Sequence, residues 1–185
     1  MRVITVCGQQ VHDGLALPEA LPEHGFVWIA CSRAYFQTEL PLIQAALERL
    51  TGQPLVDLHT SDLLNPQLPS RYDFSSQYDL MVFRRLAQRA DTAPIDTRNG
   101  KRPGPPVLQR IDTSPVGFAV FDRVLLSVHP ADCAVREAYA SRLLASAMSD
   151  DAGDVRSAGA RGVPHSPADM MLRIVSHMVD GYLDL

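Results

Sequence analysis

Carboxylates are the residues of this chain best suited to chemistry. Asp57 and Asp62 fall on one helical stretch ahead of Asn65, Asp73 and Asp79 lie on or beside strands, and Asp180 and Asp184 stand one turn apart near the end. Oxygen donors of this kind suit hard divalent cations. Magnesium in particular keeps several of its waters and uses only one or two carboxylates, so such a site leaves almost no motif. Taken singly, each aspartate reads as a solvated or capping side chain.

Other chemistries find less support. Nucleophile elbows, phosphate loops, helical zinc motifs and paired-glycine fingerprints are absent, and no nucleophile, base and orienter occur together. An enzyme is therefore the least supported class. The histidines, at positions 12, 24, 59, 129, 165 and 177, include no pair at the three- or four-residue spacing that puts two ligands on one helical face. His129, after the strand-like VLLSV, reads as structural, and His177 as a packed or interface residue. Met170, Met171 and Met178 read as core rather than as soft-metal ligands.

Composition narrows the field further. With 185 residues, 46% of them apolar, the chain can bury one sizeable core. A net charge of -4 and the lack of a long Lys/Arg run exclude nucleic acid as an expected partner. Arg98, Lys101 and Arg102 read as solvated loop charges rather than as an anion site. Cys7, Cys31 and Cys133 lack the spacing of a disulfide framework or a zinc knuckle and read as reduced thiols. Neither a secretory signal nor a run of about 18 apolar residues is present, so the chain is expected to be soluble and cytoplasmic.

The elements that would position the aspartates follow from periodicity. Arg2 to Cys7 and Phe26 to Ala30 read as strands, the second buried on both faces with Trp28 in the core, and the piece between them reads as loop. Leu40, Ile43, Leu47 and Leu50 mark an amphipathic helix over Gln37 to Leu50 that Gly52 closes. A second helix, Leu55 to Leu64, has an untidy apolar stripe and stops at Asn65-Pro66, because proline disfavours helical geometry before it and asparagine tolerates the left-handed conformation. On that wheel, at about 100° per residue, Asp62 points between Leu55 and Leu58, a direction compatible with a subunit interface or with packing inside the domain.

Tyr72 and Phe74 alternate with Arg71 and Asp73, and a central strand follows with Tyr78, Leu80 and Val82 on one face and Met81 and Phe83 on the other. Ala90 to Pro106 reads as a surface loop. Val107 to Asp112, Ser114 to Phe121 and Val124 to His129 read as strands, the last two joined by a tight Asp122-Arg123 turn. Helical composition returns over Ala131 to Ala147. A final helix enters with Ser166 as N-cap, Pro167 and Asp169, and buries a stripe of Met171, Ile174, Val175, Met178, Tyr182 and Leu185. Its pattern still runs at Leu185, which predicts a longer helix cut at the chain end and a larger parent protein.

One further pattern covers most of the chain. Asp62-Leu63-Leu64-Asn65, Pro69, Arg71, Tyr72-Asp73-Phe74 and Tyr78 through Leu86, with FVWIA before the first long helix, the FAVFDRVLLSVHP hairpin and SPADMMLRIVSHMVDGYLDL, resembles the CorA-type magnesium transporter family. The resemblance implies a cytoplasmic α/β/α layered domain with a mixed, largely antiparallel sheet over residues 1–165. Residues 166–185 would begin a long helix toward a stalk and two membrane helices, which lie outside this sequence together with the family's Gly-Met-Asn signature. It further implies a pentameric parent at the cytoplasmic side of the cell membrane, attached to the membrane only through that missing part.

In the family, carboxylates between neighbouring cytoplasmic domains bind divalent ions and favour closure at high magnesium. Asp62 falls at one such position, its partner lies on the stalk, and Ser61 stands where a glutamate often precedes the aspartate. The resemblance thus implies Mg2+, or alternatively Co2+ or Zn2+, as ligand. A zinc-transporting relative and a free-standing soluble binding or scaffold protein are the competing readings.

Overall fold

In the computed structural model the described residues are 1–86, 113–131, 134–149 and 162–180. Their strands are β1 (Arg2–Cys7), β2 (Gln10–Gly14), β3 (Phe26–Ser32), β4 (Arg71–Phe74), β5 (Tyr78–Leu86), β6 (Thr113–Phe121) and β7 (Val124–His129). Their helices are α1 (Arg33–Thr38), α2 (Leu40–Thr51), α3 (Asp57–Leu64), α4 (Ala134–Ser149) and α5 (Pro167–Asp180). The strands form one sheet in the order β2-β1-β3-β7-β6-β5-β4, in which only β3 and β7 run parallel. The α/β class with a mixed, largely antiparallel sheet is therefore as expected.

Two apolar layers sandwich that sheet. One joins Val27, Ile29, Leu80, Ala119 and Leu126 to Phe36, Ile43, Leu47 and Leu63 of α1–α3. The other joins Trp28, Phe118 and Leu125 to Tyr139, Leu143, Met170, Ile174 and Met178 of α4 and α5. Alternate strand residues feed opposite layers, which is why β3, buried on both faces, has no polar side in sequence. The three terminal-helix methionines are core residues, as their spacing suggested.

Several local expectations need correction. Gln10–Gly14, read as loop, pairs with β1 through Val6↔Val11 and Cys7↔Gln10; the tight turn there has Gly8 at φ 61°. Only Val11 of β2 contributes to a core layer, so an edge strand with polar residues carried no apolar alternation to detect. The Gln37 to Leu50 helix is two helices, because Glu39 (φ -102°, ψ 21°) ends α1 and Pro41 is accommodated near the start of α2. Gly52, at φ 84°, closes α2 as expected.

Leu55 and Val56 precede α3 rather than belonging to it, and Asn65 stops the helix in an extended conformation (φ -80°, ψ 110°), not a left-handed one. The restriction imposed by Pro66 is what acts there. β5 is paired on both sides, with β4 outside it as the edge strand. The Val107 to Asp112 strand and the Ala90 to Pro106 loop lie outside the described residues.

Two devices set the helices against the sheet. A Cβ at Gly117 would stand 2.2 Å from Leu63 Cδ2, so glycine in β6 is what lets α3 approach the sheet closely. At α5, Ser166 Oγ accepts the Asp169 N–H at 3.1 Å, and Asp169 Oδ2 accepts the His165 N–H at 3.1 Å. Ser166→Ala is expected to cost about 1 kcal/mol and Ser166→Gly only a few tenths. Thermal melts of the two variants check this order.

Candidate functional site

The sheet edge under α3 carries the densest polar cluster around an expected site residue. His59 and Asp62 are three residues apart on α3 and so share a face, while Arg71 and Asp73 share a face of β4 by strand alternation. Pairing of Asp73 with Leu80 brings Tyr78 of β5 to the same side of the sheet. The close seat that Gly117 gives to Leu63 drops α3 onto this face.

Asp62 is 8% exposed, and its Oδ2 lies 3.3 Å from Arg71 Nη1, an ion-pair distance without a hydrogen bond to that oxygen. Arg71 Nη2 donates to Asp73 Oδ2 at 2.5 Å. The same Asp73 oxygen is 3.6 Å from His59 Nε2. His59 Nδ1 is 2.8 Å from the Tyr78 hydroxyl, which also accepts the Val56 N–H at 3.0 Å.

Gln44 of α2 completes the frame by bonding both backbone groups of Leu55, its Oε1 accepting the N–H at 2.8 Å and its Nε2 donating to the carbonyl at 2.9 Å. The Phe74 N–H, followed by Arg71 and His59, holds the Asp73 carboxyl below the usual range, while burial pushes the Tyr78 phenol up. The cluster thus alternates acid and base from α3 to β4 and back. Such an arrangement clamps a helix to a sheet edge and can respond to anything that competes for its charges.

The geometry resolves the direction of Asp62. It packs inside the domain, under α3, with Arg71 covering it. As a divalent-cation site the residues of one chain do not fit. Asp62 Oδ2, buried without a hydrogen bond, already faces a guanidinium, and among the described residues no three of His, Cys, Asp and Glu converge on a point that could hold a metal ion.

The other aspartates are dispersed. Asp57 is exposed in the first turn of α3, where it suits the helix dipole. Asp79, also exposed, accepts the Tyr72 hydroxyl at 2.7 Å. Asp180 lies at the cleft between α4 and α5 with His177, and Asp184, Arg98, Lys101 and Arg102 lie outside the described residues. Sequence reasoning missed His59 and the pairing roles of Arg71 and Tyr78. The three-residue step from His59 to Asp62 was the available signal, but an imidazole, two carboxylates and a guanidinium spread over a helix and a strand form no contiguous motif.

His129 is structural, as expected, and belongs to a second buried chain. Trp28 Nε1 donates to Ser127 Oγ at 2.8 Å, and Ser127 Oγ lies 2.8 Å from His129 Nε2. Complete burial, with Arg136, Arg85 and Arg33 nearby, lowers the His129 pKa to about 3.

Comparison with known proteins bears on the fold. No protein-family model matches the chain, and no curated protein matches it in sequence. Three solved structures are similar over nearly its whole length. They are full-length CmaX (TM-score 0.62, 13% identity, 98% of this chain), the ZntB cytoplasmic domain from Vibrio parahaemolyticus (0.61, 13%, 100%) and the CorA magnesium transporter from Methanocaldococcus jannaschii (0.58, 12%, 100%). The chain spans 46% of the CmaX chain, 60% of the ZntB domain and 46% of CorA. The fold is therefore the one seen in CorA-type cytoplasmic domains. No helix among the described residues is long and apolar enough to cross a membrane.

Proposed function

We propose that this chain serves as the cytoplasmic domain of a divalent-cation transporter, with residues 1–165 forming the α/β/α body and residues 166–185 leading toward a stalk and membrane region. The observation that carries this reading is the match of nearly the entire chain to CmaX, ZntB and CorA structures. Its substrate ions would be magnesium and cobalt. Zinc is the second reading, favoured by the likeness to the ZntB domain.

In this proposal the parent is a homo-pentamer at the cytoplasmic face of the cell membrane, and the domain contributes to ion sensing and gating. Asp62 supplies one carboxylate of a regulatory divalent site that another segment completes, and Arg71 competes with the ion for Asp62 Oδ2.

The test is to read the coding frame past Leu185, express the whole protein and measure Mg2+, Co2+ and Zn2+ uptake in proteoliposomes. Two apolar spans, a Gly-Met-Asn signature and flux of at least one ion are expected; a stop after Leu185, or flux of none, overturns the proposal. Asp62→Ala in that protein should keep flux but lose magnesium-dependent closure and protease protection. Unchanged closure and protection would remove Asp62 from the mechanism while leaving the transport reading in place.

A further inference from the structure

A buried carboxylate has to be neutralised by something. Asp62 of α3 is buried, and its Oδ2 accepts no hydrogen bond. Left alone, such a charge is strongly disfavoured. The charged and titratable groups around it come from three elements. His59 stands one turn earlier on α3 with its Nε2 3.6 Å from Asp73 Oδ2, Arg71 and Asp73 belong to β4, and Tyr78 of β5 has its hydroxyl 2.8 Å from His59 Nδ1. Among these groups Arg71 carries the one permanent positive charge.

Strand geometry delivers that charge to α3. Arg71 and Asp73 alternate with Tyr72 and Phe74, and the pairs Arg71↔Val82 and Asp73↔Leu80 fix the first two on the side of the sheet where Leu80 meets Leu63 and the first core layer. Gly117 lets Leu63 settle onto that side, which carries Asp62 down toward the strand. The Phe74 N–H donates to Asp73 Oδ1 at 2.9 Å and leaves Oδ2 to Arg71. Arg71 Nη2 donates to that oxygen at 2.5 Å, and Nη1 lies 3.3 Å from Asp62 Oδ2. The two ends of one planar guanidinium thus serve carboxylates on two elements, and Asp73 positions the group that covers Asp62.

Bridging carboxylates from separate segments is what a hard divalent cation does in an oxygen site. Here a side chain of the same chain does it. A guanidinium stays charged throughout the physiological range. Tethered to the neighbouring strand, it acts at an effective concentration in the millimolar range or above, whatever the ionic composition of the solution.

We propose that Arg71 is the resident cation of this cluster: held in place by Asp73, it neutralises Asp62 where the regulatory reading puts a divalent ion, so that in these 185 residues α3 stays on the sheet edge without one. The stability of the domain is then indifferent to divalent ions, and one side chain makes it so. This deepens the reading of Asp62 given above and rests on it for the comparison with an ion, whereas the bridging geometry of Arg71 is independent of transport.

The test is urea unfolding of the 185-residue protein in EDTA and in about 10 mM MgCl2, with NaCl matching the ionic strength. The wild type is expected to show the same midpoint in both. Arg71→Met should unfold at lower urea in EDTA and regain part of the loss in MgCl2. With a dissociation constant of roughly 1 mM, at the weak end for oxygen sites, its unfolding constant falls about tenfold at that concentration. Arg71→Lys keeps a positive charge on the strand and should show no response to MgCl2. Asp62→Asn combined with Arg71→Met removes the charge that calls for a cation and should show none either. Arg71→Gln keeps a donor without the charge and takes the place of Arg71→Met if circular dichroism shows that variant unfolded. Hydrogen exchange should repeat the pattern at α3, with amides that Arg71→Met exposes in EDTA and that MgCl2 protects again.

A wild-type midpoint that rises in MgCl2 as much as the variant's overturns the proposal. So does an uncharged variant at Arg71 whose midpoint is the same in EDTA and MgCl2, or a response that survives Asp62→Asn in the Arg71→Met background. Ion flux enters none of these outcomes: the whole protein can fail to transport with the resident cation upheld, and the resident cation can fail with transport upheld.

Discussion

Arg71→Met is expected to lower the stability of the domain by about 2 kcal/mol at pH 7, measured as a fall in the urea midpoint with an unchanged m-value. The reason lies in who shields whom. Asp62 is buried under α3, and the Arg71 guanidinium is the cation that faces its free oxygen. Removing one partner of a buried pair costs about 3–5 kcal/mol, because the remaining charge stays desolvated and unpaired. Here the Arg71 side chain is 35% exposed, so water already screens part of the pair and enters more easily once it is shortened.

The companion variant separates pairing from packing. Asp62→Leu in the Arg71→Met background replaces both charges with apolar groups, an exchange that is often neutral or stabilising for buried pairs. The double variant should therefore recover most of the loss, and a double-mutant cycle should return a coupling of the same order as the single-variant effect. A single variant as stable as the wild type would mean that the ion pair does not hold α3 to the sheet edge.

This cluster marks where sequence reasoning reaches and where it stops. Elements with a one-dimensional signature were legible: the two-faced strand of Phe26–Ser32, the α2 stripe through Ile43 and Leu47, and the Ser166 cap of α5. Each has a local physical cause that sits within a few consecutive residues. The strand β2 was not legible, because its pairing with β1 supplies the stabilisation while most of its side chains stay in water. Asp62 stood out only through its place in a longer pattern. Whether it faced solvent, a neighbour or the interior depended on Arg71, nine residues ahead across a helix stop and a turn.

The second large effect concerns acid. Burial and the nearby Arg136, Arg85 and Arg33 lower the folded-state pKa of His129 to about 3 from its ordinary 6.5. Between those values the unfolded chain binds a proton at this residue that the folded one refuses. Stability contributed by the neutral ring is therefore fully present above pH 6.5 and is lost as pH falls from 6.5 toward 3. The slope from this one group approaches about 1.4 kcal/mol per pH unit, so a loss near 2.7 kcal/mol is expected by pH 4.5, an order-of-magnitude value.

Asp73 and Asp169, whose carboxyls are held below their ordinary 3.8, add losses in the same direction, but mainly as pH nears that value. The interval from pH 6.5 to 4.5 consequently isolates the histidine term from theirs. Urea unfolding at pH 7, 6, 5 and 4.5 should trace the predicted decline. His129→Gln cannot take up the proton and should flatten the decline by close to one proton, whatever it does to absolute stability. Burial is the main reason the charged ring is disfavoured in place, with the three nearby guanidinium groups adding to it. An equal slope in both proteins would mean that another group carries the acid sensitivity.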